Sequence, residues 1–215
     1  LAGIVLRYFY LQQQLRLQEK LELQSRLDSL RARIRPHFLF NTLNSIASLI
    51  MSRPEAAEQA VEDLSELFRV SLRENQRQTT VEDELHLCEL YLGIEQLRLG
   101  ARLQVEWQVD SAARDEPMPS LIMQPLVENA VYHGISQLSE GGTIRVAVTL
   151  VGSDIVVGVE NPVPSQSVHT EGHHMALANI EQRLQALYGP GSRLRVLPEG
   201  DTYRVELCYP PGAAL

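Results

Sequence analysis

The sequence predicts an α+β chain in which an antiparallel helical hairpin precedes a sheet covered on one face by helices. Three observations carry that expectation. Two helical patterns, Leu11 to about Met51 and Glu55 to about Glu74, are separated by Ser52-Arg53-Pro54. After Gly100 the texture changes to short alternating stretches of strand type. Between those stretches lie two further helical patterns, the arrangement of a sheet with one covered face.

The first pattern is Leu/Gln/Arg-rich and contains one proline, Pro36. Leu23, Leu27, Leu30 and Ile34 form a 4-3-4 seam whose continuation is His37, Asn41, Asn44 and Ser48, all polar. Leu39, Leu43, Ile46 and Ile50 fall on roughly the opposite face, so the apolar stripe changes sides near Pro36. A proline inside a helix removes a hydrogen bond and clashes with the preceding turn, at ~3 kcal/mol, and is a standard cause of a kink. A reactive imidazole turned out of a packed seam fits this pattern, and so does a hydrogen-bonded surface histidine on a kinked helix. Pro54 suits the first turn of the second helix, whose apolar positions are Ala57, Val61, Leu64, Leu67, Phe68 and Leu72. A two-helix hairpin has one partner face, so its remaining apolar surface calls for a homodimer that makes a four-helix bundle.

Thr79-Thr80 predicts the cap of a third helix, with Glu82 and Asp83 in capping-box positions and Gly100 as its stop. Residues 102–109 read as a strand and 121–134 as a helix. Residues 143–150 and 155–160 read as paired strands, 175–188 as a helix ended by Gly189-Pro190-Gly191, and 194–197 and 203–209 as the last strands. The one long gap, Asn161–His174, is rich in Pro, Ser and His.

The net charge is −8, without the basic surface that phosphate-backbone contacts need, so no direct nucleic-acid partner is expected. Arg26, Arg31, Arg33 and Arg35 cluster before His37, which fits an acidic partner and a solvated helix face equally well. Cys88 and Cys208 lack metal or redox spacing and read as buried thiols of a reducing compartment. Leu1 to Leu6 followed by Arg7-Tyr8-Phe9-Tyr10 reads as the cytoplasmic end of a transmembrane helix that begins upstream of Leu1, with an amphipathic N-terminal helix as the plainer reading.

In Gln124-Pro125-Leu126-Val127-Glu128-Asn129-Ala130-Val131-Tyr132-His133-Gly134, Asn129 and His133 lie one helical turn apart. A carboxamide oxygen is a hard donor that suits Mg²⁺, which bridges phosphates. A satisfied polar helix face explains the pair as well.

Together with Arg35-Pro36-His37-Phe38-Leu39-Phe40-Asn41-x-Leu43-Asn44, this segment resembles LytS/YehU-type sensor histidine kinases, whose phosphoacceptor box and nucleotide-binding N box the two match. Glu89-x-Tyr91-Leu92-x-Ile94-Glu95-x-x-Arg98-x-Gly100-x-Arg102-Leu103 and Asn179-Ile180-x-x-Arg183-Leu184-x-x-Leu187-Tyr188-Gly189 also match, in family order, over about residues 30–190. Met175 to Asn179 most resembles the alginate and fimbrial sensor branch, AlgZ/FimS.

The resemblance implies three parts. Residues 1–24 are the end of a transmembrane helix and a juxtamembrane signalling helix, residues 25–80 the dimerisation and phosphotransfer hairpin, and residues 81–215 a GHKL/Bergerat-type ATP-binding α/β sandwich. It implies Mg·ATP as phosphoryl donor and His37 as phosphoacceptor. A LytTR-type DNA-binding response regulator would receive the group on an aspartate. The location implied is the bacterial inner (cytoplasmic) membrane, with this part facing the cytoplasm. Asn129 would hold Mg²⁺, His133 would lie near the phosphates, and Glu128 comes with the motif. Glu160, Asn161, Gly172 and Asn179 complete the implied nucleotide-binding set.

Two departures bear on this expectation. Phe38 stands where many histidine kinases carry an acid after the phosphorylated histidine, leaving Asn41 to orient the ring. Glu160-Asn161-Pro162-Val163-Pro164 has prolines where an Asp-x-Gly-x-Gly pattern is expected, and Gly172-His173-His174-Met175-Ala176-Leu177 keeps one glycine of a Gly-x-Gly-x-Gly lid. Glycine-rich loops bind phosphate through approachable backbone N–H groups, so a signalling scaffold that binds its regulator without efficient phosphoryl transfer is the alternative. His169, His173 and His174 lack a carboxylate or thiolate to complete a metal set. A structural coiled-coil linker on an unrelated domain explains the heptads but not the ordered motifs.

Overall fold

The computed structural model describes residues 7, 36–71, 78–164 and 171–213, and the chain divides into two units, Leu1–Asn44 and Ser45–Leu215. Most of the leucine seam, the expected bend before Pro36, the expected transmembrane end and His169 lie outside the described residues.

Helix α1 is Pro36–Leu49. Its buried positions are Thr42, Ile46 and Leu49, and the Thr42 hydroxyl donates to the Phe38 carbonyl at 2.9 Å. The expected stripe is therefore only partly correct, because Leu43 and Ile50 are exposed, as is Phe40. The Ser52 and Arg53 N–H groups close the turn on the Leu49 carbonyl at 3.1 and 2.7 Å. Helix α2, Pro54–Ser71, follows with Pro54 in its first turn and buries Ala57, Ala60, Leu64 and Leu67 at helical spacing.

Strand β1, Gln78–Thr80, leads into helix α3, Val81–Leu99, whose N-cap is Thr80 with Asp83 completing the capping box. The Asp83 N–H donates to Thr80 Oγ1 at 3.1 Å, and the Asp83 carboxylate accepts from the Thr79 hydroxyl at 2.8 Å and the Thr80 N–H at 3.3 Å. Gly100 stops the helix at φ 59°, a left-handed position suited to glycine. Strand β2 is Leu103–Val109 and strand β3 is Pro117–Pro119. β1 pairs with β3 antiparallel, a ladder that three-residue segments do not announce in sequence.

The predicted helix at 121–134 is shorter and broken. Helix α4 is Gln124–Asn129, and the chain then widens into a π turn over Ala130–Gly134 and a 3₁₀ turn over Ile135–Gln137. Strands β4, Gly142–Val151, and β5, Asp154–Pro162, both run longer than expected. Asn161 and Pro162 belong to β5, not to the loop. Helix α5, Glu171–Tyr188, starts four residues before the expected Met175. Gly172 thus lies in a helical first turn and not in an open loop. With His174 and Ala176 at the other two lid-glycine positions, the backbone freedom that opposes a helix is removed.

Strands β6, Arg193–Glu199, and β7, Thr202–Tyr209, complete a five-stranded sheet in the order β2-β4-β5-β7-β6. β2 and β4 run parallel and the other neighbours antiparallel. One face is apolar and buried: Ile144, Val146 and Val148 of β4, Ile155, Val157 and Val159 of β5, and Val205, Leu207 and Tyr209 of β7. Each such side chain contributes roughly 1.5–3 kcal/mol on burial. Helices α3, α4 and α5 form the other layer, with α5 burying Leu177, Ile180, Leu184 and Tyr188. The opposite sheet face is open and charged. This is the predicted α+β class.

Candidate functional site

In the first unit, residues 37 and 41 are one turn apart on the backbone of α1, and Asn41 is half-buried. The remaining candidates lie in the second unit, and the path of the chain explains which of them meet.

Helix α4 has no side chain of its own at the cap position, Met123. Its cap comes from α3. The Glu84 carboxylate, 0% exposed, accepts from three successive backbone N–H groups, Leu121 at 2.5 Å, Ile122 at 2.9 Å and Met123 at 3.0 Å. Burial pushes the Glu84 pKa up, while these N–H groups and the charge of Arg183 pull it down. From α5, Arg183 donates to the Leu121 carbonyl at 3.2 Å and the Ser120 carbonyl at 2.6 Å. Leu121 sits at φ 56°, a conformation L residues avoid.

At the other end, the Arg98 guanidinium is held by Glu95 and donates to Ser136 Oγ at 3.1 Å. Arg102 donates to the Leu138 carbonyl at 2.6 Å. Helix α3 thus binds both the entrance and the exit of the segment that carries Glu128, Asn129 and His133.

Within that segment Asn129 is buried and Glu128 half-buried, with the Gln124 amide donating to Glu128 Oε1 at 3.0 Å. The half-buried His133 ring meets the exposed Tyr132 ring edge-to-face at 4.9 Å. Gly134 closes the segment where β5 crosses it. A Cβ there would lie 2.2 Å from Asn161 Nδ2 and 2.7 Å from the Pro162 carbonyl oxygen. Asn161 is buried, and its amide donates to that carbonyl at 2.9 Å. Gly142 leaves room for the Pro162 ring, whose Cγ would be 2.5 Å from a Cβ. The proline that replaces an expected glycine is therefore built into the end of β5, packed against another glycine.

Not every expected residue joins this cluster. Glu160 alternates to the opposite, open face of the sheet, where its carboxylate accepts from Arg145 at 2.9 Å; Arg145 also donates to Glu106 at 2.8 Å. The nucleotide-binding place assigned to Glu160 is corrected on that ground, since strand alternation gives Asn161 the inner face. Asn179 is exposed on α5. Glu84 and Arg183 had no part in the expected site. Glu84 carries a sequence signal, being a carboxylate in phase with buried Val81 and Cys88, but its partners are 37 to 39 residues away.

The histidine kinase family matches residues 25–103. Sensor histidine kinase BtsS of Escherichia coli (strain K12) is 32% identical over 188 residues, covering 87% of this chain and 34% of that protein. The chain belongs to the histidine kinase family. It is of the LytS type: YpdA of the same E. coli strain, named a sensor histidine kinase, is 33% identical over 187 residues, covering 82% of this chain and 33% of its own. The sensor histidine kinase/phosphatase LytS of Staphylococcus aureus (strain N315) is 31% identical over 192 residues, with 83% and 33% covered. The chain spans about a third of the length of the curated relatives it matches. No helix among the described residues is long and apolar enough to cross a membrane.

Proposed function

We propose that this histidine kinase chain phosphorylates itself on His37 with Mg·ATP and passes the phosphoryl group to an aspartate of a LytTR-type response regulator. The observation that carries the reading is the N-box segment. It sets a buried Asn129 beside Glu128, is fixed at both ends by charged side chains of α3, and closes on β5 through a glycine that admits nothing larger.

Asn129 and Glu128 supply oxygen donors, the hard set that fits Mg²⁺. When bound, that ion neutralises charge on the phosphates as the transfer proceeds. His133 serves as a donor toward the phosphate end of the nucleotide. Asn161 and the Pro162 carbonyl line the inner end of β5, and Gly172 and Asn179 belong to the helix after the lid. His37 is a competent nucleophile as the neutral imidazole, near its ordinary pKa of ~6.5. One ring nitrogen bonds to the γ-phosphorus as the bond to the β,γ-bridging oxygen breaks and ADP leaves. Asn41, one turn along, orients the ring. Transfer then rests mainly on in-line positioning.

The hairpin acts as a homodimer, the exposed Phe40, Leu43, Ile50 and Val61 being apolar surface that a second copy covers. The full-length protein sits in the bacterial inner membrane with this portion in the cytoplasm.

One observation favours the second reading, a scaffold without turnover: Pro162 is a strand residue and Gly172 a helical one, so two expected glycine positions offer no open phosphate loop. Mg·ATP titration separates the readings. The kinase reading expects saturable binding by the wild type and at least tenfold weaker binding by Asn129→Asp, whose added charge repels phosphate. No saturable wild-type binding gives the scaffold.

A further inference from the structure

We propose that Glu84 and Arg183 are positioning residues of the nucleotide site, gripping the two sides of the Ser120–Met123 backbone and so setting where Asn129 stands. This rests on the nucleotide-binding reading above and adds to it the residues that hold the site in place.

The grip is complete on both sides of the peptide chain. Three N–H groups converge on the Glu84 carboxylate, and two carbonyls accept from the Arg183 guanidinium. The two side chains come from different helices, α3 and α5, each separated from α4 by two strands. A buried carboxylate is expensive unless its hydrogen bonds are made, and an apolar residue of similar volume would fill the core as well. What an apolar residue could not do is hold Leu121 at φ 56° and cap a helix that has no cap of its own.

Helix α4 has six residues and starts immediately after the gripped segment. It has one and a half turns in which to absorb an error, so a displaced Met123 carries through to Asn129. Near-attack geometry makes such displacements costly: a shift of about 1 Å can lose a hundredfold in rate. Arg183 also ties this geometry to α5, the helix that carries the Gly172 segment in its first turn. A change in the position of α5 is thereby felt at the N box.

The test uses the whole chain with three substitutions, Arg183→Gln, Arg183→Lys and Glu84→Gln. Amide hydrogen exchange over residues 120–129 is compared with that over β4 and β5, and Mg·ATP affinity is measured by displacement of a fluorescent ATP analogue. Arg183 is on the surface, so its variants keep the test open if Glu84→Gln does not fold. Arg183→Gln is expected to speed exchange over 120–129 about tenfold, the scale of a lost charge-assisted hydrogen bond, with β4 and β5 unchanged. It should weaken Mg·ATP by a similar factor, with part recovered in Arg183→Lys. Unchanged exchange over 120–129 overturns the proposal, and so does faster exchange with wild-type affinity. If the wild type binds no Mg·ATP, the kinase reading falls by itself. Exchange then decides the grip alone: loosening confined to 120–129 supports it, and no loosening, or equal loosening of β4 and β5, overturns it.

Discussion

Gly134 shows how little freedom a single position in this site has. A methyl group there meets the Asn161 amide at 2.2 Å and a backbone oxygen at 2.7 Å, and strand β5 cannot retreat without breaking its pairing with β7. Overpacking of this kind costs ~1–3 kcal/mol. Gly134→Ala should lose about that much stability in urea unfolding, and should weaken Mg·ATP binding further because Asn161 must move. Unchanged stability would mean that β5 does not press on the N box. His37, Asn129 and Gly134 are legible in sequence because they stand in short motifs. The roles of Glu84 and Arg183 are not, because each acts on a distant segment: Glu84 shows in sequence only its phase with a buried helix face, and Arg183 only its place in the Asn179–Gly189 motif. Arg183 reads as a surface residue of α5, and it is exposed, yet its guanidinium reaches two backbone carbonyls. Glu160 fails for the opposite reason: its motif position points to the nucleotide, but pleating turns it to Arg145.

At the level of the elements, the most legible were those with local signals. The capping box of α3, the glycine that stops it and the proline that opens α2 all depend on neighbours in sequence. The helix expected over 121–134 was overextended because tertiary bonds decide its ends. Glu84 and Arg183 hold its first residues out of helix, and contact with β5 at Gly134 accompanies the π turn. The ladder of β1 with β3 was invisible because three residues carry no period. Two predictions belong here. Hydrogen bonds from Thr79 and Thr80 hold the Asp83 carboxyl below its usual 3.8. Such a lowered folded-state pKa gives stability that is present above pH 3.8 and lost as pH falls through the lower folded value. Asp83→Asn should therefore be less stable than the wild type at pH 7, by about 1 kcal/mol for a lost cap interaction, and should decline less steeply below pH 3.8. Parallel unfolding curves at pH 7 and pH 3 check both, and an equally steep decline would remove Asp83 as the cause. The second concerns β7 and β3. The buried Tyr209 hydroxyl donates to the Pro117 carbonyl at 3.0 Å, and burial pushes its pKa far up. Tyr209→Phe leaves that carbonyl without this donor and should lose ~1–1.5 kcal/mol in urea unfolding, while an unchanged midpoint would show that the bond contributes nothing net.

At the scale of the whole molecule, the division of labour follows from the chemistry. Phosphoryl transfer demands little covalent work from a protein and much positioning. His37, the proposed acceptor, stands on a helix in one unit, and the proposed N-box residues stand in the other, on and just after a short helix braced by α3 and α5. The proline at the end of β5 is accommodated by Gly142 and does not disturb the buried face that carries Asn161. The altered glycine pattern therefore leaves the braced segment intact, and this is why turnover is expected. The decisive measurement is labelling of the protein with γ-labelled Mg·ATP, in the membrane setting proposed for it, beside its His37→Ala variant. Label in the wild type that is acid-labile and alkali-stable, with none in the variant, is the predicted result; an unlabelled wild type, or a variant labelled equally, would contradict it.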